Sequence, residues 1–182
     1  MVYLANKSHA PRHAEQILLQ TRKAVPEDVI VRDVRVANSF VEVDCSIPDH
    51  LSLNEVLGLL SRLSPVLEFE QIVERHMDNH DAIRHAVYRF NEQKYWSAHE
   101  ALEQVWRRSS GNEKDLLNGI ILVGAAMVHY QKDEIQICIS IMKRAQAKFL
   151  NSSGTYYGID VDRLKLKILE ILATGAIEAF SI

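Results

Sequence analysis

The hydrophobic and polar positions of the chain follow two different rhythms, which meet near residues 74–81. Before this point, segments with a helical period alternate with segments in which every second residue is apolar, a spacing typical of half-buried strands. After it, every segment has a helical period. The pattern therefore predicts an α+β protein with two domains, residues 1–76 and residues 77–182.

The first domain is predicted to follow the order β-α-β-β-α-β. Its clearest strand is FVEVDCSI, in which alternate residues from Val41 to Ile47 share one apolar face. Ser52 and Glu55 have the spacing of a capping box, which marks the start of the second helix. This order is that of the ferredoxin-like fold, in which two helices cover one face of a four-stranded antiparallel sheet. The predicted strands are 1–5, 28–36, 40–47 and 66–73, and the predicted helices are 10–25 and 52–63.

The second domain is predicted to be an all-α bundle of five helices. Short polar links join them, and links of this length favour antiparallel neighbours. The stretch RFNEQKYWSAHEAL loosely resembles VHYQKDEIQICISI in its helix-turn-helix rhythm, which predicts two stacked helical hairpins. The predicted helices are 80–93, 95–109, 113–131, 133–151 and 160–175.

The composition excludes several classes of protein. Of the 182 residues, 47% are hydrophobic and 25% charged, which is typical of a globular protein. The net charge of -3 gives no overall attraction to nucleic acid or to an anionic membrane, and the basic clusters are expected to be solvated helix faces. The longest apolar run, LLNGIILVGAAMV, is too short to cross a bilayer. The start resembles no secretory signal, and the distant Cys45 and Cys138 predict free thiols in the cytoplasm.

The apolar sequence ILEILATGAIEAFSI, residues 168–182, predicts a segment that packs back on the bundle or meets a second subunit. We expect a homodimer on this ground. Five further histidines are expected to be ordinary surface residues; two pairs among them have the i, i+4 spacing that can bind a metal adventitiously, but neither pair has a third ligand. These histidines are His9, His13, His76, His80 and His85.

The stretch YWSAHEALEQVW, residues 95–106, carries the candidate chemistry. On a helical wheel, His99 lies at the edge of the apolar face, and Glu103 follows one turn later, so these two side chains can touch. Glu100 points to another side and is expected to need a different neighbour. Trp106 lies on the apolar face with the core residues.

The following helix is apolar nearly all round, except for Asn118 and His129 on one stripe. An unpaired buried imidazole or amide costs about 1–3 kcal/mol. We therefore predict that this stripe is buried and that His129 approaches His99, with Glu100 or Glu103 between or beside them. The candidate polar cluster comprises His99, Glu100, Glu103, Trp106, Asn118 and His129.

Residues 81–173 resemble an uncharacterised all-helical family known as domain of unknown function 309. The segments that carry the resemblance are FNEQKYWSAHEALEQVW, GIILVGAAMVHY and GIDVDRL. The resemblance implies a helical fold and brings no established activity. In place of the family's usual glutamine, this chain has Leu122, so a family site that uses this amide would be altered here. Matching positions are Phe90, His99, Glu100, Leu102, Glu103, Trp106, Gly119, Ile121 and His129, with Asp160 as a late aspartate.

Three interpretations of the polar cluster remain open. His99, Glu103 and His129 offer nitrogen and oxygen ligands for a divalent metal, although HEALE is not the H-E-x-x-H signature of zinc proteases. A histidine beside a carboxylate could instead act in acid-base catalysis. The third interpretation is a hydrogen-bond network that fixes the register of the helices. Because no complete catalytic signature occurs, the sequence favours a non-enzymatic binding, interaction or ligand-sensing module without a cofactor, and a metal-dependent or acid-base enzyme is the alternative.

Overall fold

The computed structural model describes residues 1–72 and 77–182. Its described residues form two compact units, one of residues 1–72 and 131–133 and one of residues 77–130 and 134–182. The predicted domain boundary between residues 76 and 77 falls at the edge of residues 73–76, outside the described residues, and stays a prediction.

The first unit has the predicted ferredoxin-like topology. Its four strands are antiparallel and lie in the order β2-β3-β1-β4. The fourth strand ends at Phe69, four residues before the predicted end, and Val73 lies outside the described residues. The elements are β1 (Val2–Ala5), α1 (Ala14–Ala24), β2 (Ile30–Val36), β3 (Phe40–Ser46), α2 (Leu53–Leu60) and β4 (Val66–Phe69).

The core of this unit follows from the alternation of its strands. Val2 and Val43 point to the same side of the sheet and pack with Ile17 of α1 and Val56 of α2. The predicted capping box is present at the start of α2: the Ser52 hydroxyl accepts from the Glu55 backbone N–H, and the Glu55 carboxylate accepts from the Ser52 N–H. The backbone hydrogen bond from Ser52 lowers the pKa of Glu55.

The second unit contains the five predicted helices around one apolar core. A short hairpin before the last helix was not predicted; its strands are β5 (Thr155–Tyr156) and β6 (Ile159–Asp160). In the described part of the chain, no helix is both long and apolar enough to span a membrane. The helices are α3 (Asn79–Asn91), α4 (Tyr95–Arg108), α5 (Gly111–Tyr130), α6 (Ile135–Lys148) and α7 (Val161–Thr174).

The hairpins α3–α4 and α5–α6 have the same turn, with an offset of forty residues. Gln93 and Asp133 both adopt the left-handed conformation, with φ of 61° and 63°. The next residue in each case has nearly the same backbone angles, and its N–H donates to the carbonyl five residues earlier, from Lys94 to Arg89 and from Glu134 to His129. The loose sequence similarity therefore corresponds to two equivalent helical hairpins.

Two glycines of α5 set how closely its neighbours approach. A Cβ atom at Gly119 would lie 2.8 Å from the ring of Phe149, so the glycine makes room for this ring beside α5. At Gly124, a Cβ atom would lie 3.7 Å from the Cβ of His99 and from the carbonyl oxygen of Tyr95, which is ordinary contact. Gly124 therefore lies opposite the first turns of α4.

The segment 176–182 packs back on the helical unit, which was one of the two predicted alternatives. The ring of Phe180 lies 5.4 Å from that of Phe90, and Ile177 and Ile182 also contact the core. The Ile182 N–H donates to the amide oxygen of Asn91 at 3.0 Å. The apolar character of this segment is thus accounted for within one copy of the chain.

Candidate functional site

The candidate site lies on the second and third turns of α4. His99, Glu100 and Glu103 each place one ligand atom within 4.8 Å of the other two. The helix positions them because residues three and four apart are neighbours on a helical surface. The predicted pair is present, with His99 Nε2 at 3.2 Å from Glu103 Oε1. His99 is the most buried of the three, with 18% of its side chain exposed.

Two contacts fix the orientation of the His99 ring. Its Nδ1 lies 3.4 Å from the carbonyl oxygen of Ile121 on α5. The ring also stacks on Trp96, with 5.8 Å between centroids and 11° between planes. A carbonyl oxygen only accepts hydrogen bonds, so this contact assigns the proton to Nδ1 and directs Nε2 toward the carboxylates. Histidine ligands of metals are commonly held through their second nitrogen in this way.

This orientation brings potential metal ligands together. His99 Nε2 lies 3.2 Å from Glu103 Oε1. Imidazole nitrogens and carboxylate oxygens are both ligands that divalent transition metals accept.

Glu100 and Glu103 differ in their surroundings. Glu103 is 32% exposed and also accepts from Arg107 at 3.1 Å, one turn further along α4. Glu100 is exposed. Glu100 was expected to need a different neighbour, and this stays a prediction; one of its carboxylate oxygens lies within 4.8 Å of the other two ligand atoms. Glu100 and Glu103 are three positions apart on the helix, so their flexible carboxylates can converge.

His129 does not join this cluster. Its Nδ1 makes a short contact with Glu134 Oε2 at the turn between α5 and α6. Because Gly124 lies opposite His99, His129 is five residues, or about 7.5 Å, further along α5. The prediction that the two histidines meet with a glutamate between them is therefore wrong, and His129 belongs to the turn of the second hairpin.

The predicted polar stripe of α5 lies at a half-buried edge of the helix instead of in its core. Asn118, Leu122 and His129 are all partly exposed, so solvent can reach this edge and the polar groups there do not require buried partners. Trp106 has Lys114 Nζ at 4.6 Å from its ring centroid. Its indole N–H is buried without a hydrogen-bond partner among the described residues.

The other candidate residues lie outside this cluster. His9 and His13 contact each other edge to face, and the His13 ring accepts from the Ala10 backbone N–H. His76 lies outside the described residues. Within residues 1–72 and 77–182, the trio on α4 is the one group of three or more potential ligands found. Both cysteines are free as predicted, and burial raises the pKa of Cys138 to about 12.

Sequence reasoning missed three parts of the site. These are the stacking of Trp96, the carbonyl of Ile121 and the salt bridge from Arg107. Trp96 and Arg107 lie three residues before His99 and four after Glu103, so helical spacing was a usable signal for both. The carbonyl of Ile121 had no such signal, because a helical wheel does not show which backbone group of a neighbouring helix faces a side chain.

Comparison with known proteins shows a similarity between the region that carries the site and a family whose description names no activity. Residues 83–144 match the model of the family described as "Domain of unknown function (DUF309)", which confirms the predicted resemblance over these residues. An uncharacterized protein of Aquifex aeolicus (strain VF5) is 26% identical over 98 residues. The match covers 53% of this chain and 29% of that protein, so this chain corresponds to less than a third of the relative's length.

Several positions that carry the resemblance have structural roles. Gly119 makes room for Phe149, and Phe90 contacts both Tyr95 and Phe180. Asp160 caps α7 by accepting from the Arg163 backbone N–H at 2.9 Å. Of the matching polar positions on α4, His99, Glu100 and Glu103 form the cluster. Packing and capping within the helical unit therefore do not explain why these three residue types occur at these positions.

Proposed function

We propose that this protein is a non-enzymatic binding module whose helical unit binds a divalent metal ion at His99, Glu100 and Glu103. The observation that carries the proposal is the convergence of one ligand atom from each of these residues within 4.8 Å, with His99 oriented by the carbonyl of Ile121. One imidazole nitrogen and two carboxylates suit Zn²⁺, Mn²⁺ or Fe²⁺. Three protein ligands leave a position for water or for a further ligand.

The second hairpin supports a role for this trio beyond folding. At the equivalent positions, forty residues later, it has Ile139, Ser140 and Lys143. The turn and the helix packing of the hairpin form without the histidine and the glutamates. Folding alone therefore does not require them on α4.

Equilibrium titration of the purified chain with Zn²⁺ and Mn²⁺ tests the proposal. We expect one ion per chain, and we expect His99→Ala and Glu103→Gln each to weaken binding at least about tenfold, since loss of a group that only supports a ligand already has an effect of this size. His129→Ala is the matched control, because it removes the other histidine that contacts a glutamate within this unit. Equal losses in both histidine variants, or no binding by the unmodified chain, would contradict the proposal.

A metal-dependent or acid-base enzyme at the same residues is the second candidate function. The open ligand position that three protein ligands leave favours it, since catalytic sites need one. Turnover of a panel of ester and phosphoester substrates, lost in His99→Ala and retained in His129→Ala, would establish this candidate over the binding module. Metal binding without turnover on the panel would favour the binding module.

We also infer that the module works in the cytoplasm as a homodimer. Its two free cysteines suit a reducing compartment. Fractionation of cells that express the tagged chain tests the location, and recovery from a membrane or secreted fraction would contradict it. Light scattering across a concentration series tests the homodimer, and a molar mass of 20.8 kDa at every concentration would contradict it.

A further inference from the structure

The three candidate metal ligands on α4 are open to solvent on one side. The exposed fraction of the side chain rises along one stripe of the helix, from 18% for His99 to 32% for Glu103 and 64% for Arg107. The protein occupies the inward side of the His99 ring, because Ile121 contacts its Nδ1 and Trp96 stacks on its face. A metal ion with three protein ligands keeps at least one further position. We expect this position on the open side, where Arg107 lies.

Arg107 has hydrogen-bond donors to spare. A guanidinium group carries five N–H donors. Arg107 Nη2 donates to Glu103 Oε2 at 3.1 Å, whereas His99 contacts the other oxygen of this carboxylate, Oε1. Within residues 1–72 and 77–182, Arg107 has no second acceptor. Its Nη1 and Nε groups can therefore donate to a bound ligand while Nη2 still holds Glu103.

The charges around a bound ion favour a negatively charged ligand. The two carboxylates of the site balance the charge of a divalent ion, and a neutral imidazole adds none. Arg107 then gives this group of side chains one net positive charge. The acidic residues of the following helix, α5, are paired elsewhere, Glu113 with Tyr156 and Asp115 with Lys148, each at 2.8 Å. A small anion beside Arg107 would balance the remaining charge.

We propose that the metal-loaded site binds a small oxyanion, with one oxygen on the ion and a second oxygen accepting from Arg107. This inference rests on the proposed metal binding and names the class of ligand that the open position takes. Carboxylate and phosphate groups share the required chemistry, because both offer oxygen pairs that match a guanidinium. A metal ion and an arginine act together as a clamp on oxyanions in other proteins.

Calorimetric titration of the metal-loaded chain tests the proposal. The chain is first loaded with one equivalent of Zn²⁺, and methyl phosphate or acetate is then added in separate runs. We expect one anion per loaded chain and no measurable binding by the metal-free chain. Tighter binding of methyl phosphate would identify phosphate esters as the ligand class, and tighter binding of acetate would identify carboxylates.

Substitution of Arg107 tests its role in binding the anion. Arg107→Gln is expected to raise the dissociation constant of the anion about tenfold, because a charge-assisted hydrogen bond is lost. The same substitution is not expected to weaken Zn²⁺ binding, because Arg107 is not a metal ligand. A purely structural role would not separate the two affinities in this way. Arg108→Gln is the matched control, because Arg108 is directed to the carbonyl oxygen of Met77 at 3.5 Å.

The Zn²⁺ titration of the same preparation separates this proposal from the proposed function. One Zn²⁺ ion per chain without anion binding would overturn the oxyanion proposal and leave metal binding intact. Anion binding of equal strength in the metal-free chain, or equal losses in the two arginine variants, would also overturn it. A chain that binds no Zn²⁺ would overturn both proposals.

Discussion

The two helical hairpins of the second unit share an architecture and differ in chemistry. Both place a left-handed residue in the turn and bury the same row of positions, with Ala98, Leu102 and Val105 in α4 corresponding to Cys138, Met142 and Ala145 in α6. They differ on the neighbouring stripe, where α4 has His99 and Glu103. The shared features are those that a hairpin requires, so the features found in one hairpin alone are the candidates for function.

The largest expected effect concerns a packing contact that belongs to the second hairpin alone. Gly119→Ala would place a Cβ 2.8 Å from the ring of Phe149, which is 1% exposed, so the ring or the helix must shift. We expect a loss of stability of about 1–3 kcal/mol, the usual effect of overpacking. Gly124→Ala is the control on the same helix, because its contacts of 3.7 Å tolerate a methyl group. Thermal unfolding measures both variants, and an equal loss in each would show that Phe149 is not the cause.

A somewhat smaller effect is expected where the segment 176–182 meets the first hairpin. Phe180→Ala removes the ring that contacts Phe90. Because Phe180 is half-buried, we expect a loss of about 1–2 kcal/mol in the free energy of unfolding. Ser181→Ala, at an exposed neighbouring position, is the control. Urea denaturation checks both, and an unchanged midpoint for Phe180→Ala would show that the segment adds nothing to the stability of the first hairpin.

The equivalence of the two turns predicts parallel responses to glycine. Gln93→Gly is expected to stabilise the protein by about 0.5–1 kcal/mol, because glycine adopts a positive φ without strain. Asp133→Gly is expected to act in the same direction but more weakly, since aspartate tolerates this conformation better than glutamine does. Differential scanning calorimetry of both variants tests this. Opposite signs would contradict the structural equivalence of the two turns.

The smallest expected effect concerns Arg107, whose counterpart in the second hairpin is Ala147. Arg107 competes with a metal ion for the carboxylate of Glu103. Arg107→Gln is therefore expected to strengthen Zn²⁺ binding by about two- to fivefold, the range of an exposed salt bridge. Arg108→Gln, next in the chain, is the control. Weaker binding in Arg107→Gln would mean that this arginine supports the site instead of competing for it.

The sequence predicted the helices and strands well, but it predicted the alignment of neighbouring helices poorly. Alternation and capping identified the strands and helices of both units, and helical spacing identified the contact between His99 and Glu103. The helical wheel gave the wrong partner for His129. A wheel shows the direction in which a side chain points around a helix and does not show its position along the helix axis. That position depends on Gly124, where α4 and α5 approach each other. The β5–β6 hairpin was missed because strands of two residues leave no period to detect.

The central claim is that His99 Nε2 and Glu103 bind a divalent metal ion. Long-range ¹H–¹⁵N spectra of the histidine rings, recorded before and after addition of Zn²⁺, test it most directly, with His99→Ala to assign the signals. We predict that Zn²⁺ shifts the Nε2 signal of His99 while its Nδ1 stays protonated, and that the signals of His129 do not change. Signals of His99 that stay unchanged while those of other histidines move would contradict the claim.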